Sequence, residues 1–188
     1  LYLSTFWFKD AKDGKFVSWH QDSAYYGLDP HDVITLWLAF TDATPENGCM
    51  KVLPGSHKWP DQQHVETYDE NNLLSRGHTI AGLNEDDAVL MPLKAGQFSM
   101  HHERQLHASG PNVTDDRRMG MSFTFMPTRV KCVLDRRSAT LVRGTDEFKN
   151  WDYDPKPRHD LDPVCMETIQ HWIRAYADPD VPQEAVRG

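Results

Sequence analysis

Short runs of alternating, β-branched or aromatic residues, cut by Gly, Pro, Asn and Asp clusters, fill the first two thirds of this 188-residue chain. A clear helical spacing occurs near the C-terminal end. Little helix and many short strands together predict a mainly β fold, an antiparallel sandwich or barrel of the jelly-roll type with a C-terminal helix.

The elements follow in order. Residues 1–8 alternate, a KDGK turn occupies 12–15, and the aromatic run FVSWHQD at 16–22 resumes the extended pattern. VITLWLAFT at 33–41 is β-branched and aromatic, and GCMKVLP at 48–54 starts at a Gly and stops at a Pro. Further strands are expected at 86–91, 96–102 and 118–126, where RMGMSFTFM alternates up to Pro127. Turn clusters separate them: PENG at 45–48, LPGSHK at 53–58 and HASGPN at 107–112. The polar stretch 57–84 has no clear period and reads as a loop or lid. In PVCMETIQHWIRAYADP, 163–179, apolar residues at 165, 169, 172, 173 and 176 have helical spacing between bounding prolines. The length suits a single domain over 1–188, with a strand-rich core at about 1–127 and a C-terminal extension at 128–188.

Composition narrows the partners. A formal charge of −8 argues against nucleic acid and anionic membranes, which select basic patches. No apolar run approaches a membrane span. LYLSTFWF at the start lacks the basic flank and small-residue cleavage site of a signal peptide. Cys49, Cys132 and Cys165 are too widely spaced for a zinc pattern and odd in number. They read as buried small hydrophobes in a reducing, cytoplasmic setting. The run Arg136–Arg137 and Arg143 read as solvated charges.

The chemistry concentrates in WHQD at 19–22. Side chains two apart on a strand leave the same face, so His20 and Asp22 can grip one ion. His101 and Glu103 in MHHERQLH have the same spacing and are the internal rival. The third partner separates them. Two histidines and one carboxylate on one face of Fe(II) leave positions open for oxygen activation. His107 arrives from a distant strand, and Arg118 begins the strand after it, where its guanidinium can hold a carboxylate through paired charge-assisted hydrogen bonds. His159 and His171 lie in the tail and offer the rival pair no such arrangement. The favoured metal set is therefore His20, Asp22 and His107.

WHQD at 19–22, ENGCMKVLPGSHK at 46–58 and HASGPN at 107–112 with Arg118 resemble the phytanoyl-CoA dioxygenase family over about residues 1–127. The resemblance implies a double-stranded β-helix and an Fe(II)- and 2-oxoglutarate-dependent oxygenase. His20, Asp22 and His107 match the iron ligands. Arg118 matches the arginine that pairs with the distal carboxylate of 2-oxoglutarate, Ser109 a hydroxyl donor to it, and Trp37 a tryptophan near it, against a plain core role for that ring. Strand alternation sends the neighbouring Arg117 to the other face, and the family spacing selects Arg118. Tyr25 and Tyr26 are candidates for touching substrate, against a plain packing role, and His102 is a candidate for supporting the metal ligands, against an ordinary strand histidine. Members carry a substantial segment before His-x-Asp, whereas 19 residues precede His20 here, so N-terminal helices are expected to be missing from this chain. The expected activity is hydroxylation of a C–H bond of a small organic molecule with dioxygen, releasing succinate and CO₂. Its competitors are a halogenase on the same scaffold and a non-catalytic jelly-roll binding module.

Overall fold

The computed structural model describes residues 1–134 and 137–177. Its strands are β1 (Leu3–Lys9), β2 (Val17–His20), β3 (Leu28–Asp29), β4 (Ile34–Ala39), β5 (Met50–Val52), β6 (Val89–Met91), β7 (Phe98–His102), β8 (His107–Ser109), β9 (Arg118–Phe125), β10 (Lys131–Cys132), β11 (Ser138–Ala139) and β12 (Asp152–Tyr153). A one-turn helix α1 (Ser23–Tyr26) follows β2, and α2 (Pro163–Ala177) closes the described chain. Eight of the strands form two four-stranded sheets, in the orders β1-β9-β4-β7 and β2-β8-β5-β6, with every neighbour antiparallel. This is the jelly roll that the strand pattern predicts.

The first sheet inverts the usual soluble pattern. Its inner face carries Lys9, Thr35, Ser99, His101, Arg118, Ser122 and Thr124, all buried, while Phe6, Phe8, Ile34, Phe98, Met100 and Phe125 on its other face are exposed. Polar residues on the inward parity, beside Leu3, Trp7, Trp37 and Ala39, mark a barrel whose interior is a partly polar chamber rather than a wholly oily core. Cohesion comes from either end instead. One apolar cluster joins Tyr2, Tyr25, Tyr26, Leu28, Val33, Leu74, Val130, Ala139 and Trp151; another joins Trp19, Leu53, Ile80, Leu106 and Ala108. Leu106 is fully buried, and its truncation to Ala would cost about 2–5 kcal/mol.

Two expected surface features turn inward. The 57–84 stretch is ordered by bridges Phe16↔Asn72 and Val65↔Thr79 and contributes Leu74 and Ile80 to the two clusters. Arg137, read as a solvated charge, is buried: its Nη1 donates to the Tyr2 hydroxyl at 3.1 Å and its guanidinium lies 5.3 Å from the Trp172 ring centroid. Arg136 lies outside the described residues. Trp172 in turn packs edge-on against Tyr2, so α2 docks onto the start of β1. Among the described residues no helix is long and apolar enough to cross a membrane.

Candidate metal centre and cosubstrate pocket

His20 ends β2 and His107 begins β8, and the two are register partners across that antiparallel pair. The chain then turns into α1, which carries Asp22 back over the imidazoles: Asp22 Oδ1 lies 3.4 Å from His20 Nε2 and 3.8 Å from His107 Nε2. One ligand atom from each of the three lies within 4.8 Å of the others, and all three residues are buried. Donors this close can share one ion at about 2 Å each.

The backbone chooses the tautomers. His20 Nδ1 contacts the Ser18 carbonyl at 2.9 Å, and His107 Nδ1 contacts the Gln105 carbonyl at 2.9 Å. A carbonyl only accepts, so both rings donate from Nδ1 and direct Nε2 at Asp22, the position from which each could ligate a metal. Burial lowers the His107 pKa well below its ordinary value, and the His20 and His101 rings lower it further, so it stays neutral. Burial alone would raise the Asp22 carboxyl, but the contacts to His101, His107 and His20 outweigh it and hold Asp22 well below the ordinary carboxylate range. Two imidazole Nε2 atoms and one carboxylate, gathered in a buried site, are the donor set of a divalent transition metal.

The other Asp22 oxygen is held from the first sheet. Thr35 Oγ1 donates to Oδ2 at 3.0 Å, and His101 Nε2 stands 3.6 Å from it. His101 therefore supports the triad, and His102, the candidate for that role, does not. His102 sits on the opposite parity of β7, with Nε2 on the His31 carbonyl at 2.8 Å and Nδ1 accepting the Arg104 N–H at 3.1 Å. The rival metal pair diverges as well. Glu103 lies beyond the end of β7 and binds His31 Nδ1 at 2.9 Å, away from the Asp22 carboxylate that His101 faces.

A cavity of about 960 Å³ opens over this face, lined by His20, Asp22, His101, His107, Ser109 and Arg118. Tyr25, Tyr26 and Trp37 also line it. Tyr26 stands behind Asp22, its hydroxyl 3.4 Å from Thr124 Oγ1, and Tyr25 packs against the His78 ring of the 57–84 stretch at 4.5 Å. Gln21 points away, as alternation requires. Its side-chain amide donates to the Arg104 carbonyl at 2.9 Å and its side-chain oxygen accepts the Gln62 N–H at 2.8 Å, which staples the 57–84 stretch beside the triad.

Arg118 and Arg117 part as the strand alternation requires. Arg117 is exposed and pairs with Asp10. Arg118 is 3% exposed; its Nη2 donates to the Gly48 carbonyl at 2.8 Å and its guanidinium lies 5.3 Å from the Trp37 ring centroid. Arg118 Nε is buried and finds no acceptor among the described residues, which also give this guanidinium no ion pair. Burial lowers its pKa to about 10, so it remains charged near neutral pH. A buried cation with an unused donor, facing a cavity, has the chemistry to receive a carboxylate.

Two glycines make the arrangement possible. A Cβ on Gly120 would stand 2.2 Å from Trp37 Cζ2, so the ring lies where a side chain would be. Gly48, at φ +78°, has no room for one either: a Cβ there would stand 2.2 Å from the Gly110 carbonyl oxygen. Asn112 ties the turn after β8 to the end of β1. Its amide donates to the carbonyls of Lys9 at 3.1 Å and Asp116 at 2.7 Å, and its oxygen accepts the Thr114 N–H at 3.0 Å. Lys9, Thr35 and His101 escaped the sequence reading. Lys9 and Thr35 had no motif to mark them, and His101 was weighed only as a rival ligand.

The comparisons with known proteins agree with this geometry. The phytanoyl-CoA dioxygenase (PhyH) family model matches residues 1–120. A probable alpha-ketoglutarate-dependent hypophosphite dioxygenase of Stutzerimonas stutzeri is 37% identical over 107 residues, covering 56% of this chain and 37% of its own. The structure of the non-heme monooxygenase ThoJ superposes with a TM-score of 0.76 at 34% identity, over 90% of this chain and 62% of that one. The epimerase SnoN, in complex with Fe3+, alpha ketoglutarate and nogalamycin RO, gives 0.57 at 28% identity, over 70% and 51% of the two chains. The chain spans less than half the length of the curated relatives it matches.

Proposed function

The chain belongs to the phytanoyl-CoA dioxygenase family, and from that premise we propose that it forms the catalytic domain, over 1–188, of an Fe(II)- and 2-oxoglutarate-dependent dioxygenase that hydroxylates a C–H bond of a small organic substrate, releasing succinate and CO₂. The observation that carries this reading is the pairing, in one cavity, of a buried His-Asp-His donor set with a buried arginine whose Nε has no acceptor among the described residues.

His20, Asp22 and His107 would hold the iron. Bound Fe(II) with 2-oxoglutarate and dioxygen would supply the oxidising chemistry, which no side chain here can provide. Thr35 and His101 keep Asp22 turned so that one oxygen faces the ion while the other stays occupied. Arg118, flattened against Trp37, and Ser109 would bind the distal carboxylate of 2-oxoglutarate. The outer cavity wall, with Leu73 and Leu74 of the 57–84 stretch and Ile169, Trp172 and Ile173 of α2, gives the substrate a largely apolar berth. Tyr25 and Tyr26 line the same cavity, Tyr25 beside His20, where the rings would help keep water from the reacting carbon. Cys49 is buried and Cys132 and Cys165 are half-buried, and the reading keeps all three as structural thiols of a cytoplasmic protein.

Halogen transfer needs a metal position vacated by the triad carboxylate. Asp22 fills it. A passive binding module would have no use for neutral lone pairs gathered around a buried carboxylate. The test is product mass after turnover of a small-molecule panel in excess chloride. A gain of one oxygen supports hydroxylation, whereas a chlorinated product, or loss of two hydrogens without oxygen gain, contradicts it.

A further inference from the structure

Lys9 is the charged group of this site that the proposed chemistry leaves unused. It ends β1 and is 0% exposed. Its Nζ donates to Ser109 Oγ at 2.6 Å, to the Ser109 carbonyl at 3.3 Å and to the Gly110 carbonyl. Three acceptors match the three protons of an ammonium. Among the described residues no carboxylate forms an ion pair with it. Its register partner across β1 and β9 is instead a second cation, Arg118. Burial, and then the Arg118 guanidinium, push the Lys9 pKa down to about 7.

Two adjacent buried cations are a costly way to tie β1 to β8, because unpaired charge in a low dielectric is destabilising. A neutral donor would make the same crosslink without repelling Arg118. The surroundings are nevertheless shaped to keep the lysine. Gly48 lacks a Cβ where one would stand 3.1 Å from Nζ, and Asn112 grips the Lys9 carbonyl at 3.1 Å. Lys9 reaches the cavity only through Ser109, which lines it.

A serine hydroxyl has one proton to give. When an ammonium already donates to Oγ, that proton must point to another acceptor, and the positive charge behind it polarises the O–H bond. We propose that Lys9 is a cosubstrate-positioning residue: it fills the acceptor side of Ser109 Oγ and turns the hydroxyl proton into the cavity, toward the distal carboxylate of 2-oxoglutarate that Arg118 would bind. This rests on the Fe(II)/2-oxoglutarate reading above.

The experiment titrates 2-oxoglutarate anaerobically into the Fe(II)-loaded protein, following the visible absorbance of the chelate, for wild type, Lys9→Met, Lys9→Gln, Ser109→Ala and Lys9→Met/Ser109→Ala, with thermal melts of each. Lys9→Met should weaken 2-oxoglutarate binding by about 10- to 100-fold, the loss expected for a charge-assisted contact, while Fe(II) affinity stays within about twofold. The double variant should be no weaker than the worse single one, because both act through one hydroxyl. Lys9→Gln keeps a donor without the charge and should fall between wild type and Lys9→Met. It is the variant to read if Lys9→Met melts early. A Lys9→Gln or Lys9→Met protein that melts like wild type and binds 2-oxoglutarate within about twofold of it overturns the proposal, as does a fully additive double variant. If wild type gives no 2-oxoglutarate-dependent absorbance, the Fe(II)/2-oxoglutarate reading falls, and the Lys9 role with it.

Discussion

Replacing Gly120 with alanine probes the arginine pocket without touching a charged group. Gly120 faces inward on β9, and a Cβ there would stand 2.2, 2.6 and 2.8 Å from Cζ2, Cη2 and Cε2 of Trp37. Carbon pairs settle at about 3.5–4.0 Å, so the indole must retreat by more than about 1 Å. The Arg118 guanidinium lies over the same ring, 5.3 Å from its centroid, so the arginine is displaced with it. Overpacking of this kind costs about 1–3 kcal/mol. At roughly 2–4 °C per kcal/mol for a chain of this size, the melting temperature should fall by about 2–12 °C. Misplacing a positioning group by about 1 Å can cost about 100-fold, and the half-saturating 2-oxoglutarate concentration should rise by a factor of that order. Two measurements, a thermal melt and a cosubstrate titration, read these out separately. Gly120→Ala/Trp37→Leu should recover the melting temperature without recovering 2-oxoglutarate affinity. Wild-type affinity in Gly120→Ala would refute the view that Trp37 positions Arg118.

Arg118→Ala should weaken 2-oxoglutarate binding by about 2–5 kcal/mol with Fe(II) binding intact, and Arg117→Ala, which removes only an exposed pair with Asp10, should not; the reverse ranking would move the carboxylate site one residue. His64 gives a pH dependence. Its Nε2 accepts the Gln21 N–H at 3.0 Å and its Nδ1 meets the Gln62 carbonyl at 2.9 Å, so it sits neutral, and burial followed by the nearby His20 lowers its pKa to about 4. A depressed histidine confers stability that is complete above the unfolded value of about 6.5 and lost as pH falls from there through about 4. Between pH 7 and 4 the melting temperature of wild type should therefore drop more steeply than that of His64→Gln; parallel slopes would remove His64 from the account.

Most of the jelly roll was legible because its strands alternate and its turns are written in Gly, Pro and Asn. The His-x-Asp pair with a distant histidine was legible as a spacing, but not for the strand-face reason: β2 ends at His20, and Asp22 reaches the same point as the N-cap of α1. What alternation cannot say is which parity points inward. RMGMSFTFM reads the same whether its apolar or its small polar residues face the chamber, and here Gly120, Ser122 and Thr124 do. The same ambiguity hid His101 behind His102. Lys9 was hidden differently, since a lysine at a strand end beside a turn looks solvated until tertiary packing closes Ser109 and Gly110 around it. Arg137 was misread for that reason too, because Tyr2 and Trp172 come from opposite ends of the chain. The apolar stripe of α2 was legible as a stripe. Its destination, the cavity wall, depended on where Trp172 docks.

The most direct test of the central claim is the anaerobic absorption spectrum of the protein with Fe(II) and 2-oxoglutarate together. Chelation of the keto acid by an iron held at His20, Asp22 and His107 should give a visible charge-transfer band that requires both additions and is lost in Asp22→Ala. Protein that binds both Fe(II) and 2-oxoglutarate yet stays colourless, or a band that survives loss of Asp22, would contradict it.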